Sequence, residues 1–217
     1  MILTAFILAL AQAASEGSHK LEIRLERQEG GQWKAADPGR ILDRDDRVRF
    51  GLRANFDGYL YVMNKTTSGR FTLLFPSDQA GQDNRIAAGR QYLVPATDGS
   101  FRITGPPGHE VVYWLVSPVE LDKGYTPLPH PPKPGRTPAS LVPRCDDAIL
   151  RARGECIDRS AGLKPLSETG SAPESLAAMQ NAGSRDLVFT RQESASVVAV
   201  PARLEGPVIF EFRLAHR

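Results

Sequence analysis

Apolar residues recur at every second position through much of this 217-residue chain. The segment 19–28, HKLEIRLERQ, alternates leucine and isoleucine with charged side chains, and the segment 47–54, RVRFGLRA, repeats the pattern. A spacing of two is typical of a β-strand with one buried face, whereas a helix needs a spacing near 3.6. The chain is therefore predicted to be mainly β, with no strand–helix alternation of the kind that builds a parallel sheet.

Turn residues divide the other apolar runs into short strands. In the stretch DGYLYVMNKTTSGRFTLLFP, the turn dipeptides Asp57-Gly58 and Ser68-Gly69 flank a run that is apolar on both faces. Such a run indicates an inner strand, and Asp-Gly is typical of a hairpin turn. Many short strands predict an antiparallel β-sandwich, immunoglobulin-like or similar. Further strand patterns cover residues 90–95, 100–104, 109–118, 186–192, 195–204 and 207–217.

Three aromatic residues of this stretch, Tyr59, Tyr61 and Phe75, could either stack on a cofactor or fill a core. Hardly any chemically reactive side chain lies among them in the sequence. Burial of each aromatic ring removes a large apolar area from water. We therefore interpret all three as core residues.

The pattern changes between residues 118 and 184. This excursion begins Pro-rich, continues with a helical-looking piece around residues 145–156, and holds a second short helical pattern at 172–180. Strand patterns resume after it, but three strands alone are not expected to be stable. They are predicted to complete the first sheets, so that residues 18–217 form one sandwich domain that carries the excursion.

The first residues, MILTAFILALAQAASE, form an uncharged apolar run that ends in small residues. About ten apolar residues are too few to span a membrane, which needs about twenty, but they suit an export signal. No positive charge precedes the run, which leaves a buried N-terminal strand or helix as the alternative. We expect a signal peptide over residues 1–14 and a periplasmic or secreted mature chain with no membrane span.

The chain has two cysteines, Cys145 and Cys156. In an exported protein the simplest interpretation is one disulfide, and two free buried thiols are the alternative. Eleven helical residues would separate the two Cα atoms by about 16 Å, whereas a disulfide needs about 5.5 Å. A bridge therefore requires a short helix that ends at Gly154, after which the chain doubles back.

Charge and histidine spacing exclude several classes of function. The 27 Lys and Arg residues and 25 Asp and Glu residues are mixed along the chain, which argues against a nucleic-acid binder. None of the four histidines lies at a metal-ligand spacing from another or from a cysteine. His109, beside Glu110 at the start of a predicted strand, is the best acid–base candidate, but no G-x-S-x-G motif accompanies it. The others are His19, His130 and His216.

The acidic stretch DRDDR offers Asp43, Asp45 and Asp46 as possible Ca²⁺ ligands. It lacks the glycine and glutamate of an EF-hand loop, and Arg44 and Arg47 offset its charge. We interpret it as a solvated turn. No phosphate-binding or dinucleotide-binding motif occurs, so the sequence assigns no catalytic residue, no cofactor-binding residue and no metal ligand.

Four pieces occur in order between residues 46 and 117: DRVRFGLRANFDGYLYVMN, GRFTLLFPSD, DNRIAAGRQYLVP and FRITGPPGHEVVYWLVS. This order resembles the bacterial domain of unknown function 4384 family. The resemblance implies a protein of the bacterial envelope or a multidomain protein, sometimes joined to kinase-like or caspase-like domains. It implies no enzymatic activity, and it supplies no catalytic residue to carry over.

Two functions from different classes remain. We favour an exported, non-catalytic β-sandwich module of the bacterial cell envelope that binds a protein or glycan partner. The alternative is a small envelope hydrolase with a dispersed active site. A deep pocket that joins His109 to a carboxylate and a hydroxyl would favour the hydrolase, whereas a flat surface with apolar loop tips would favour the binding module.

Overall fold

The computed structural model describes residues 18–78, 82–95, 99–121, 142–166, 176, 187–192, 195–200 and 204–217. These ranges hold thirteen β-strands, in two antiparallel sheets, and one short helix. The predicted signal peptide over 1–14 and His130 lie outside the described residues, and of the second helical pattern at 172–180 the structure describes Leu176 alone. Within the described ranges, no helix has the length and apolar character needed to cross a membrane.

The first sheet, which we call sheet 1, contains seven of the described strands. They are β1 (His19–Glu29), β2 (Gln32–Ala36), β3 (Arg47–Ala54), β7 (Gln91–Val94), β8 (Phe101–Arg102), β11 (Val188–Arg191) and β12 (Ser196–Val200). The order across the sheet is β11-β12-β1-β3-β7, with β2 paired to β1 and β8 paired to β3.

The second sheet, sheet 2, contains six described strands. They are β4 (Gly58–Lys65), β5 (Phe71–Phe75), β6 (Arg85–Ile86), β9 (Gly108–Ser117), β10 (Gly162–Pro165) and β13 (Val208–His216). The order is β10-β13-β9-β4-β5, with β6 also paired to β4. The strands that follow the excursion join both sheets.

The two sheets pack face to face around one apolar core, which confirms the predicted mainly β sandwich. The alternating residues of β1 supply Leu21, Ile23 and Leu25, all at most 3% exposed. Between the two sheets, the ring of Phe50 on β3 meets the ring of Trp114 on β9 edge-on at 5.2 Å between centroids. Period-two patterning therefore places these residues in the sandwich interior.

The outer face of sheet 2 carries a second apolar cluster. Tyr61, Met63 and Tyr113 are at most 4% exposed on this face, which Leu166 and Leu176 cover. These two clusters explain why β4 is apolar on both faces: one face packs in the interior between the sheets, and the other packs in the outer cluster. Glu211 of β13 is 1% exposed on the same face, and its carboxylate lies 2.6 Å from the Arg213 guanidinium.

The Asp57-Gly58 hairpin prediction is wrong, because β3 and β4 lie in different sheets. The chain crosses between the sheets here, and Asp57 accepts a hydrogen bond from the Ala88 N–H at 2.7 Å. Gly58 is required for space, since a Cβ there would lie 2.8 Å from the carbonyl oxygen of Ser117. The predicted turn at Ser68-Gly69 does connect β4 to β5, with Gly69 at φ +83°.

The structure joins Cys145 and Cys156 in a disulfide, with the Cα atoms 5.0 Å apart. The helix between them, α1 (Ala148–Ala152), is short, and the chain turns at Gly154 with φ +78°. Asp147 caps α1, because its side chain accepts hydrogen bonds from the first N–H groups of the helix. The geometry that a bridge requires is therefore present.

Candidate functional site

A cleft of about 340 Å³ opens where the two sheets end on the same side of the sandwich. One wall is β7, the last described strand of sheet 1 on that side, and the other is formed by β5 and β6 of sheet 2. The lining residues are Leu60, Phe75, Asp83, Ile86, Arg90, Gln91, Tyr92, Leu93 and Val94.

The cleft has an apolar floor and a polar rim. Its floor is the edge of the sandwich core, where Leu60 and Ile86 are buried. The rim residues Asp83, Arg90 and Gln91 are exposed. Sites that bury an apolar group of a ligand and orient it with polar contacts typically have an apolar floor and a polar rim.

Hydrogen bonds and a cation–π contact hold the loop before β7 in place. The Tyr92 hydroxyl accepts a hydrogen bond from the Ala87 N–H at 2.8 Å, and the Arg90 guanidinium lies 5.1 Å from the centre of the Tyr92 ring. Gly89 donates to the Ala54 carbonyl at 2.7 Å and adopts φ +76°, a conformation that glycine tolerates best. These contacts fix the rim of the cleft against β3.

A second group of polar side chains surrounds His109, away from the cleft. Its Nε2 atom lies 3.0 Å from Oδ2 of Asp158 and 3.2 Å from Oγ of Ser160. We call these three residues the histidine clamp. The carboxylate and hydroxyl that would favour a hydrolase are therefore present, but none of the three residues lines the cleft.

The contacts of the clamp differ from those of a Ser-His-Asp triad. In such a triad the acid and the serine bind different ring nitrogens, whereas Asp158 and Ser160 both meet Nε2 of His109. The same Asp158 oxygen accepts the Arg144 N–H at 3.1 Å, and the other accepts the Ser160 hydroxyl at 2.6 Å. The clamp thus ties both ends of the disulfide-bounded segment to the start of β9.

The surroundings of Asp158 favour its ionised form within the clamp. Burial acts to raise the pKa of this carboxyl, but hydrogen bonds from Ser160 and Arg144 and the charge of His109 outweigh it, so the pKa is lowered. His216 is 1% exposed, and burial followed by the charge of His109 lowers its pKa. Neutral His216 is therefore the favoured state at neutral pH.

The acidic stretch at 43–46 does not gather its carboxylates around one point. Asp43 pairs with Arg217 at 2.8 Å, Asp45 with Arg102 at 3.0 Å, and Asp46 with Arg27 at 3.0 Å. Each carboxylate faces an arginine from a different part of the chain. No set of three or more possible metal ligands forms among the residues that the structure describes.

Tyr59, Tyr61 and Phe75 are placed by packing. Tyr61 is 4% exposed in the outer cluster, with Tyr59 partly buried beside it. Phe75 is 4% exposed in the interior cluster. Phe75 also borders the floor of the cleft, a position that the sequence did not indicate.

Residues 41–120 match the family described as a domain of unknown function, DUF4384. The segment is a DUF4384 domain. No curated protein and no solved structure matches the chain. The expected resemblance over 46–117 is thus confirmed, with slightly wider bounds.

The DUF4384 segment supplies neighbouring strands to both sheets of the sandwich. It supplies β3, β7 and β8 to sheet 1 and β4, β5, β6 and β9 to sheet 2. Strands outside the segment continue both sheets, because β1 pairs with β3 and β13 pairs with β9. Every lining residue of the cleft lies within the DUF4384 segment.

Proposed function

We propose that this chain is an exported, non-catalytic binding module of the bacterial cell envelope and that the cleft is its site for a protein or glycan partner. The observation that carries the proposal is the cleft itself, which lies between two sheet ends within the DUF4384 segment. Among the described residues, its lining contains no serine, cysteine or histidine, the groups that serve most often as nucleophile or base.

Two further features support an exported binding module. The apolar run at residues 1–14 has the pattern of a signal peptide, and disulfides such as Cys145–Cys156 are typical of oxidising compartments.

The alternative is a small envelope hydrolase centred on His109. It is favoured by the contacts of His109 with a carboxylate and a hydroxyl, and weakened because both groups meet the same ring nitrogen. The Ser160 hydroxyl also donates to Asp158, which would compete with proton transfer to His109. Binding through the cleft therefore accounts for the structure better than hydrolysis.

A pull-down from envelope extract with the tagged mature chain tests the proposal. The double variant Asp83→Lys/Arg90→Glu inverts both charges at the cleft rim, and its matched control Arg70→Glu/Glu205→Lys makes the same change at exposed residues outside the lining. We expect a partner that wild type and control retain and the rim variant loses. Retention by all three chains would contradict the cleft as the site, and hydrolytic activity lost in His109→Ala would favour the alternative.

A further inference from the structure

We infer that the ligand of the cleft is an extended peptide that adds to the edge of β7, with an apolar side chain over the floor and an acidic side chain beside Arg90. This inference rests on the proposed binding function and names the chemical class of the ligand. It follows from the walls, the aromatic residues, the charges and the size of the site.

The walls of the cleft are strand edges. β7 pairs with β3 through residues 91–94, and among the described residues no strand pairs with its other side. In an antiparallel strand, alternate residues direct their N–H and C=O groups to opposite sides. About half of the backbone groups of β7 therefore point away from β3, and an extended peptide is the ligand that pairs with such groups.

The aromatic residues of the lining favour a peptide over a glycan. A sugar ring typically stacks on an open aromatic face. The two aromatic residues of the lining are Phe75, which is 4% exposed, and Tyr92, whose ring is overlaid by the Arg90 guanidinium. The Tyr92 hydroxyl is also occupied by the Ala87 N–H. Neither ring thus offers the face that a sugar would need.

The charges at the mouth favour an acidic ligand. The rim residue Arg90 is exposed, and within the part of the chain that the structure describes it forms no ion pair with a carboxylate. Asp83 is the acidic residue of the lining, and its carboxylate already accepts the Arg85 N–H at 3.2 Å. The Arg90 guanidinium therefore matches a ligand carboxylate, which arginine binds through paired N–H groups.

The size of the cleft limits how much of the peptide enters it. A volume of about 340 Å³ is at the small end of ligand sites, which run from about 300 to 1,000 Å³. This space suits one or two side chains and not a whole folded segment. The rest of the peptide would lie along the four residues of β7, so a short linear motif is sufficient for recognition.

Selection from a random library of ten-residue peptides tests the inference on the intact chain. We expect enriched peptides to place an aspartate or glutamate near an apolar residue. A synthetic peptide of the enriched sequence should slow hydrogen exchange at alternate amides of residues 91–94. Its dissociation constant should rise at least about tenfold in Arg90→Glu, from loss of a charge-assisted contact, and less than about twofold in the control Arg70→Glu.

A parallel screen of oligosaccharides separates the inference from the proposed function. Oligosaccharide binding that Arg90→Glu abolishes, with no peptide enriched, would overturn the peptide ligand and leave the cleft as a binding site. Peptides that bind equally well to Arg90→Glu and protect amides outside β7 would overturn the inference as well. If neither class of ligand binds, the inference is contradicted, and the pull-down with the rim variant decides the proposed function separately.

Discussion

The Tyr61 hydroxyl accepts a hydrogen bond from the backbone N–H of Leu121 at 2.9 Å and lies 3.4 Å from the carbonyl oxygen of the same residue. Tyr61 lies on the outer face of β4, and Leu121 is the first residue after the DUF4384 segment. This contact holds Leu121 on the outer face of sheet 2, where it packs against the second apolar cluster. One side chain thus fills a core and also holds the excursion against the sandwich.

Substitution of Tyr61 should separate these two roles. Tyr61→Phe removes the hydroxyl from Leu121 and should lower the free energy of unfolding by about 1 kcal/mol. Tyr61→Ala and Phe75→Ala remove buried rings and should each cost about 3–5 kcal/mol. Thermal and urea unfolding would measure both effects. An alanine variant of normal stability that has lost a ligand would show that these residues form a binding platform.

Removal of the disulfide should loosen the excursion and leave the sandwich folded. The double variant Cys145→Ser/Cys156→Ser loses a loop closure of about 3 kcal/mol on the chain-entropy model. The segment retains other contacts, because Ile41 donates its N–H to the Cys156 carbonyl and Asp158 donates its N–H to the Gly39 carbonyl.

Hydrogen exchange would measure this effect. Faster exchange is expected at residues 142–161, with unchanged exchange in β3, β4 and β9. Global unfolding of the serine variant would contradict the prediction, and so would two titratable thiols in the exported wild-type protein.

Glu110 should destabilise the fold at neutral pH. It is 8% exposed, and burial raises its pKa despite a hydrogen bond from the Asn64 amide at 3.1 Å. A carboxyl whose pKa is raised on folding favours the folded state below its unfolded pKa, near 4.5, and loses that advantage as the pH rises through the folded value.

Glu110→Gln keeps an acceptor for Asn64 and removes the charge, so its melting temperature should exceed that of wild type at pH 7. The difference should shrink as the pH falls toward 4.5. Melting curves at both pH values check this. A glutamine variant that is less stable than wild type at pH 7 would show that the buried charge has a stabilising partner.

The mature protein should begin near Ala14 or Ser15. The apolar run before these residues ends in the small side chains that signal peptidase accepts. N-terminal sequencing of protein recovered from the periplasm or medium would identify the cleavage site. Recovery of exported protein with Met1 intact would show that the run is not a cleaved signal.

The strands with one buried face could be predicted from the sequence, because the alternation of apolar and polar residues depends only on neighbours along the chain. It identified β1 and the alternation in β13. It missed β2, β6 and β10, which are short and have no clear alternation. Asp57-Gly58 was misread because the same dipeptide suits a tight turn and a close crossing, and only the neighbouring Ser117 carbonyl distinguishes them.

The candidate site could not be predicted in the same way. Leu60, Phe75 and Arg90 are distant in sequence, and a cleft forms only when two sheets end beside each other. His109 was identified as the best acid–base candidate, but its partners Asp158 and Ser160 lie about fifty residues away in the excursion. No local motif connects them, because the disulfide-bounded segment brings them to β9 through tertiary contacts.

Hydrogen exchange of the intact chain, with and without the partner recovered from envelope extract, tests binding through the cleft most directly. On binding, the amides of residues 87–94 and of β5 should exchange more slowly. The rim variant Asp83→Lys/Arg90→Glu should abolish this protection, and the control Arg70→Glu/Glu205→Lys should retain it. Protection confined to residues around His109 and Asp158, unchanged in the rim variant, would contradict the cleft as the binding site.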